Sequence, residues 1–106
     1  AQAWLWPPGG APEAEARARC GRAAAEASSG AYGTAFRAGP VGETLYGASG
    51  SGVQWAAEVL GVRHAYAVEL RDTGRGFLQP AGQIRPQAEE LLAGLSALAR
   101  CVHVTT

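Results

Sequence analysis

Apolar residues fall into short clusters along the chain that predict alternating strands and helices. Trp4-Leu5-Trp6 is a short continuous run stopped by Pro7-Pro8-Gly9-Gly10, where proline removes ladder donors and glycine marks a turn. This predicts a strand over 4–6. A helix is predicted from Pro12 to Ser28. Proline suits its first turn, Glu13 and Glu15 favour its N-terminus, and Arg17 and Arg19 stand four residues on as salt-bridge partners. Ser29-Gly30 is read as its end. From Ala31 to Gly52 the chain is glycine-rich and irregular, with one turn of helix near 42–45. Val53–Leu60 is read as a compact helix closed by Gly61.

His64–Leu70 is the clearest strand. Alternation puts His64, Tyr66, Val68 and Leu70 on one face and Ala65, Ala67 and Glu69 on the other. A glycine-bearing loop follows over 72–83. The last helix is predicted from Pro86, with an apolar stripe of Leu91, Leu95, Leu98 and Val102. The order strand, helix, loop, helix, strand, helix indicates an α/β class. Two strands do not make a viable sheet, so further strands are expected.

Composition narrows the function classes. The chain has 106 residues, enough for one small domain, and 15 are glycine. With alanine also abundant, the core is thin for its length. Nine arginines balance nine acidic residues and lysine is absent. That balance gives no electrostatic reason to expect nucleic acid or an anionic membrane as partner. No apolar run nears the ~20 residues that span a bilayer. The first residues lack the positive flank and apolar length of a signal sequence, and no methionine begins the chain, as expected of a processed or truncated product. Cys20 and Cys101 match no metal-binding spacing; two buried thiols and one bridge remain open.

Glu69 is the first candidate for chemistry. It ends an apolar strand beside the small Ala65 and Ala67, so its carboxylate would be partly desolvated and suited to proton transfer. An ion pair with Arg71 or another arginine is the plain alternative, and on spacing alone the more common one. Tyr46 opens Tyr46-Gly47-Ala48-Ser49-Gly50-Ser51-Gly52, where a phenol on a glycine-rich loop could swing onto a ligand or simply anchor the loop. Neither a complete GxGxxG nor a GxSxG frame occurs, which removes nucleotide and serine-hydrolase readings. His64 and His103 stand in no HxxE or HExxH frame, and no metal ligand is assigned.

The stretch Glu69-Leu70-Arg71-Asp72-Thr73-Gly74-Arg75-Gly76-Phe77-Leu78-Gln79-Pro80 resembles the ELRDTGRYGFLLP segment of pancreatic-type zinc metallocarboxypeptidases, the carboxypeptidase A and B family. The resemblance extends back through Tyr46–Ser51, Trp55 and Tyr32-Gly33-Thr34, forward to Gln83, Ile84 and Pro86, and to the start at Gln2–Gly9. It implies that residues 1–106 form the C-terminal portion of a mixed-sheet, helix-flanked catalytic domain. Glu69 then matches the general base that activates the zinc-bound water, and Tyr46 the mobile tyrosine over the substrate carboxylate. Val53 matches the base of the specificity pocket, where valine implies an apolar or aromatic C-terminal side chain. Val41, Leu45, Ala48 and Ala67 match other pocket positions, and Phe77 an aromatic contact for the preceding residue.

The family's zinc ligands and carboxylate-gripping residues lie upstream of the matched region. The resemblance therefore implies zinc in the full-length enzyme, none held by this segment, and no activity from the segment alone. Its partners would be peptide or protein C-termini and the missing N-terminal part of the domain. Secretion is implied by the same resemblance. Two departures stand out: the tyrosine of RDTGRYGF is absent, and one extra residue lies between Trp55 and His64. A truncated or inactive homologue, or a small α/β binding module, is the alternative from another class.

Overall fold

The computed structural model describes residues 2–7, 13–40, 63–70 and 81–105. Strand β1 (Ala3–Trp6) leads to helix α1 (Glu13–Tyr32) and strand β2 (Arg37–Pro40). Strand β3 (Ala67–Glu69) and a 3-10 turn (Ala81–Gln83) precede helix α2 (Ile84–Thr105). The strands form one mixed sheet in the order β2-β1-β3. β1 pairs in parallel with β2, Trp4 beside Ala38, and antiparallel with β3, Trp4 beside Val68.

β1 is central, and its sequence says why. Ala3, Trp4, Leu5 and Trp6 are all at most 3% exposed, so the strand is covered on both faces. A doubly covered strand reads as an unbroken apolar run rather than an alternating one. Trp4 and Val68 share the face that meets the helices, with Ala24 and Ala25 of α1 at the cluster's heart and Leu91 and Leu98 of α2 against it.

The two helices meet through small residues. The covered stripe of α1 is Arg17, Cys20, Gly21, Ala24, Ala25 and Ser28, a spacing of three and four. At its far end Trp4 Nε1 donates to Ser28 Oγ at 3.1 Å, and Ser28 Oγ donates to the Glu90 carbonyl at 2.8 Å. This chain joins β1, α1 and α2, and it satisfies an indole N–H that would otherwise be orphaned. A Cβ on Gly94 would stand 2.5 Å from Trp4 Cζ2, so glycine permits the approach. Cys20 and Cys101 are bridged, with Cα atoms 5.4 Å apart, which resolves the alternative left open by the sequence.

Several expectations change. α1 runs a turn past Ser28, because the left-handed residue that stops it is Gly33 (φ 73°), whose N–H reaches the Ser29 carbonyl at 2.9 Å. Arg17 is 5% exposed and bonded to carbonyl oxygens rather than standing as a surface salt-bridge partner. β2 falls within the segment read as irregular. Its sequence Arg-Ala-Gly-Pro has little strand propensity, and pairing with β1 holds it extended. The strand expected over 64–70 is paired only over 67–69. On α2, Leu91 and Leu98 face the core, but Leu95 is 43% exposed while Glu90 is fully covered. The contact at Ser28 and Gly94 turns the helix that way. The helix expected over 53–60 lies outside the described residues. No helix among the described residues is long and apolar enough to cross a membrane.

Candidate functional site

Glu69 ends β3 directly opposite Ala3, the first residue of the central strand. Ala3 is in turn paired with Arg37 on β2, so Arg37, Ala3 and Glu69 form one row across the sheet. Directly paired residues point to the same side, which places this row on the face away from Trp4 and Val68. Ala67, opposite Leu5, lies on the Glu69 face. The half-buried carboxylate is therefore flanked across the strands by alanine and along its own strand by alanine. These small neighbours are the alternation the sequence displays.

Among the sequence-derived site residues, Glu69 and Ala67 are thus brought together. Tyr46, Val53, Val41, Leu45, Ala48 and Phe77 lie outside the described residues.

A second polar cluster lies on the opposite face, just before β3. Tyr66 Oη is 2.9 Å from the Arg17 carbonyl and 2.9 Å from His64 Nδ1. Arg17 Nε donates to the Arg63 carbonyl at 2.9 Å, with a longer contact from the guanidinium to the Pro7 carbonyl at 3.4 Å. The Tyr66 ring meets Trp4 and Trp6 edge-on. Burial pushes the phenol up to about 12, against a smaller opposing pull from the Arg17 charge. His64 is held below the usual imidazole value, first by burial and then by the charges of Arg63 and Arg17. Alternation had placed His64 with Tyr66 on one face. The partners Arg17 and Arg63 stand 46 residues apart and give no local signal.

Zinc needs three or more converging ligands. Among the described residues no such group of His, Cys, Asp or Glu occurs, the cysteines are consumed in their bridge, and His103 is exposed near the end of α2. The described residues do not fit a zinc site.

A mixed sheet flanked by helices, with a carboxylate at the end of an antiparallel strand, defines an α/β domain portion with a candidate proton-transfer group. The profile of one family, zinc carboxypeptidase, matches residues 1–94. Carboxypeptidase A4 of Mus musculus is 48% identical over 89 residues, covering 83% of this chain and 21% of that protein. Metallocarboxypeptidase A of Arthroderma otae is 47% identical over 79 residues, covering 74% and 19%. Bovine thrombin-activatable fibrinolysis inhibitor, solved with tick carboxypeptidase inhibitor, superposes with a TM-score of 0.85 at 27% identity, over 99% of this chain and 37% of that one. The chain belongs to the zinc carboxypeptidase family. It spans about a fifth of the length of these curated relatives.

Proposed function

We propose that this chain is the base-bearing portion of a carboxypeptidase catalytic domain that releases single apolar or aromatic residues from peptide C-termini. The observation that carries the reading is the Ala3–Glu69 register. It sets the glutamate of the ELRDTG block beside the beginning of β1, the strand the family resemblance puts just after the third metal ligand. Glu69 would take a proton from the attacking water and return it to the departing amine.

Specificity would come from Val53, with Val41, Leu45, Ala48 and Ala67 completing an apolar pocket. Such a pocket disfavours a charged C-terminal side chain, because a buried cation needs a partner. Tyr46 would close over the terminal carboxylate, and Phe77 would contact the residue before the scissile bond. The metal ligands and the groups that grip the carboxylate would come from the rest of the catalytic domain, which is the first partner of this surface. A bridge between Cys20 and Cys101 favours an oxidising, extracellular setting.

The test has two arms. In the intact protein, Glu69→Gln should lower kcat on a blocked peptide ending in phenylalanine by about 10²–10⁴ with little change in KM. This chain alone, mixed with equimolar zinc, should leave the peptide uncut. Full activity of the variant would sink Glu69 as base, and cleavage by the isolated chain would sink the need for the rest of the domain.

A further inference from the structure

Among the described residues, the His64 ring has a partner for one nitrogen and none for the other. Tyr66 Oη contacts two groups, and the Arg17 carbonyl can only accept, so the phenol hydrogen goes there. The phenol oxygen is then left to accept from His64 Nδ1–H, and the neutral ring carries its lone pair on Nε2. Nε2 is shut from solvent and has no hydrogen-bond partner among the described residues. Among the described residues, the charges acting on the ring are both positive: Arg63 from its own segment and Arg17 from α1. The Tyr66 ring lies 6.0 Å away and nearly parallel, at 23°.

A second proton on this ring would create an enclosed N–H with no acceptor among the described residues, under the positive charges of Arg63 and Arg17. Burying a charge in that way is more costly than leaving one acceptor idle. The relief open to the ring is to turn toward water, which breaks its bond to Tyr66. Tyr66 immediately precedes β3 and packs that segment on Trp4, Trp6 and α1, beside the second tie from Arg17 Nε to the Arg63 carbonyl.

We propose that His64, Tyr66 and the Arg17 carbonyl form a proton-sensitive latch that holds the Glu69-bearing strand to α1 while the imidazole is neutral and releases it on protonation. As a regulator of the Glu69 site the latch rests on the carboxypeptidase reading, whereas its proton linkage does not. Glu69 lies three residues beyond Tyr66, so loosening here would misplace the carboxylate without altering it chemically. His64 is a positioning residue in this scheme, acting through Tyr66.

The test is amide hydrogen exchange across residues 63–70 of the intact protein, between about pH 7.5 and about pH 5, corrected for intrinsic rates. Protection should fall roughly tenfold or more on acidification, while His64→Asn, which keeps an amide donor for Tyr66 and has no titrating ring, should change less than about twofold. Tyr66→Phe should show low protection at both pH values. An equal acid loss in the parent and His64→Asn would overturn the latch. Should His64→Asn fail to fold, the imidazole resonances of the unmodified protein decide. Loss of protection in step with ring protonation supports the latch, and protonation with protection retained refutes it. A fully active Glu69→Gln variant would remove the general-base reading and leave these exchange results unaffected.

Discussion

Gly30 and Gly94 offer a paired perturbation whose two halves should move stability in opposite directions. Both lie within helices, where glycine is disfavoured relative to alanine by roughly 0.5–1 kcal/mol. At Gly30 an added Cβ meets nothing within 4 Å, so Gly30→Ala should realise that gain. At Gly94 the same Cβ falls 2.5 Å from Trp4 Cζ2, 3.0 Å from Cε2, and against Ser28 Oγ. Ordinary contact begins at 3.4 Å, so the indole must withdraw by roughly 1 Å, and overfilling of this kind costs about 1–3 kcal/mol. Displacing Ser28 Oγ also weakens the Trp4–Ser28–Glu90 chain, worth roughly 1 kcal/mol per bond. Set against the helix gain, Gly94→Ala should destabilise by about 1–3 kcal/mol. Urea unfolding of the intact protein, followed by tryptophan fluorescence, measures both from the midpoint at unchanged slope. A Gly94→Ala midpoint equal to or above that of the parent would refute the close packing at Trp4.

Other outcomes follow from the same structure. Replacing both Cys20 and Cys101 with serine should cost up to about 4.5 kcal/mol, the loop-closure value for their separation of 81 residues; an unmoved urea midpoint would remove the bridge from the stability of the fold. Because His64 is held below 6.5, the unfolded chain takes up its proton first. Its contribution is therefore complete above about pH 6.5 and lost as pH falls through the folded value, and thermal scans of His64→Asn should flatten that slope. Tyr66 behaves oppositely: its folded value of about 12 stands above 10, so its contribution is present below pH 10 and lost between there and about 12. An ultraviolet phenolate titration should show one tyrosine ionising late, and Tyr66→Phe should remove that phase.

Much of the frame was legible locally. Trp4-Leu5-Trp6 announced a short strand, and the alternation of Ala65, Ala67 and Glu69 placed the carboxylate on the small-residue face where the structure has it. The ELRDTG block identified the family. What could not be read were features set by distant partners. Arg37–Pro40 has no strand character of its own and is extended by β1. Gly30 looked like a helix stop because glycine often is one, yet the backbone needs its left-handed residue at Gly33. Leu95 belongs to a regular stripe but turns outward, since the Ser28–Glu90 contact fixes the rotation of α2. Arg17 looked like half of a surface ion pair and instead reaches two carbonyls that only the fold brings near. For Tyr46, Val53 and the other pocket positions outside the described residues, the resemblance remains the ground of assignment.

The central position of β1 also sets a timetable for synthesis. Leu5 pairs with Ala67, 62 residues later, so the middle of the sheet is translated long before one of its two flanking strands. At about 5–20 residues per second, two tryptophans and a leucine wait several seconds for that partner. The β2 neighbour arrives sooner, through the helical crossover of α1, but it offers only Arg-Ala-Gly-Pro to cover one edge. During that interval Trp4-Leu5-Trp6 is an apolar segment with an open edge, the kind of sequence that chaperones bind and that other nascent chains can capture. Cys20 is likewise exposed to wrong partners until Cys101 emerges 81 residues later. Yield of the native protein should therefore depend on what shields its first strand during translation as well as on how stable the finished sheet becomes.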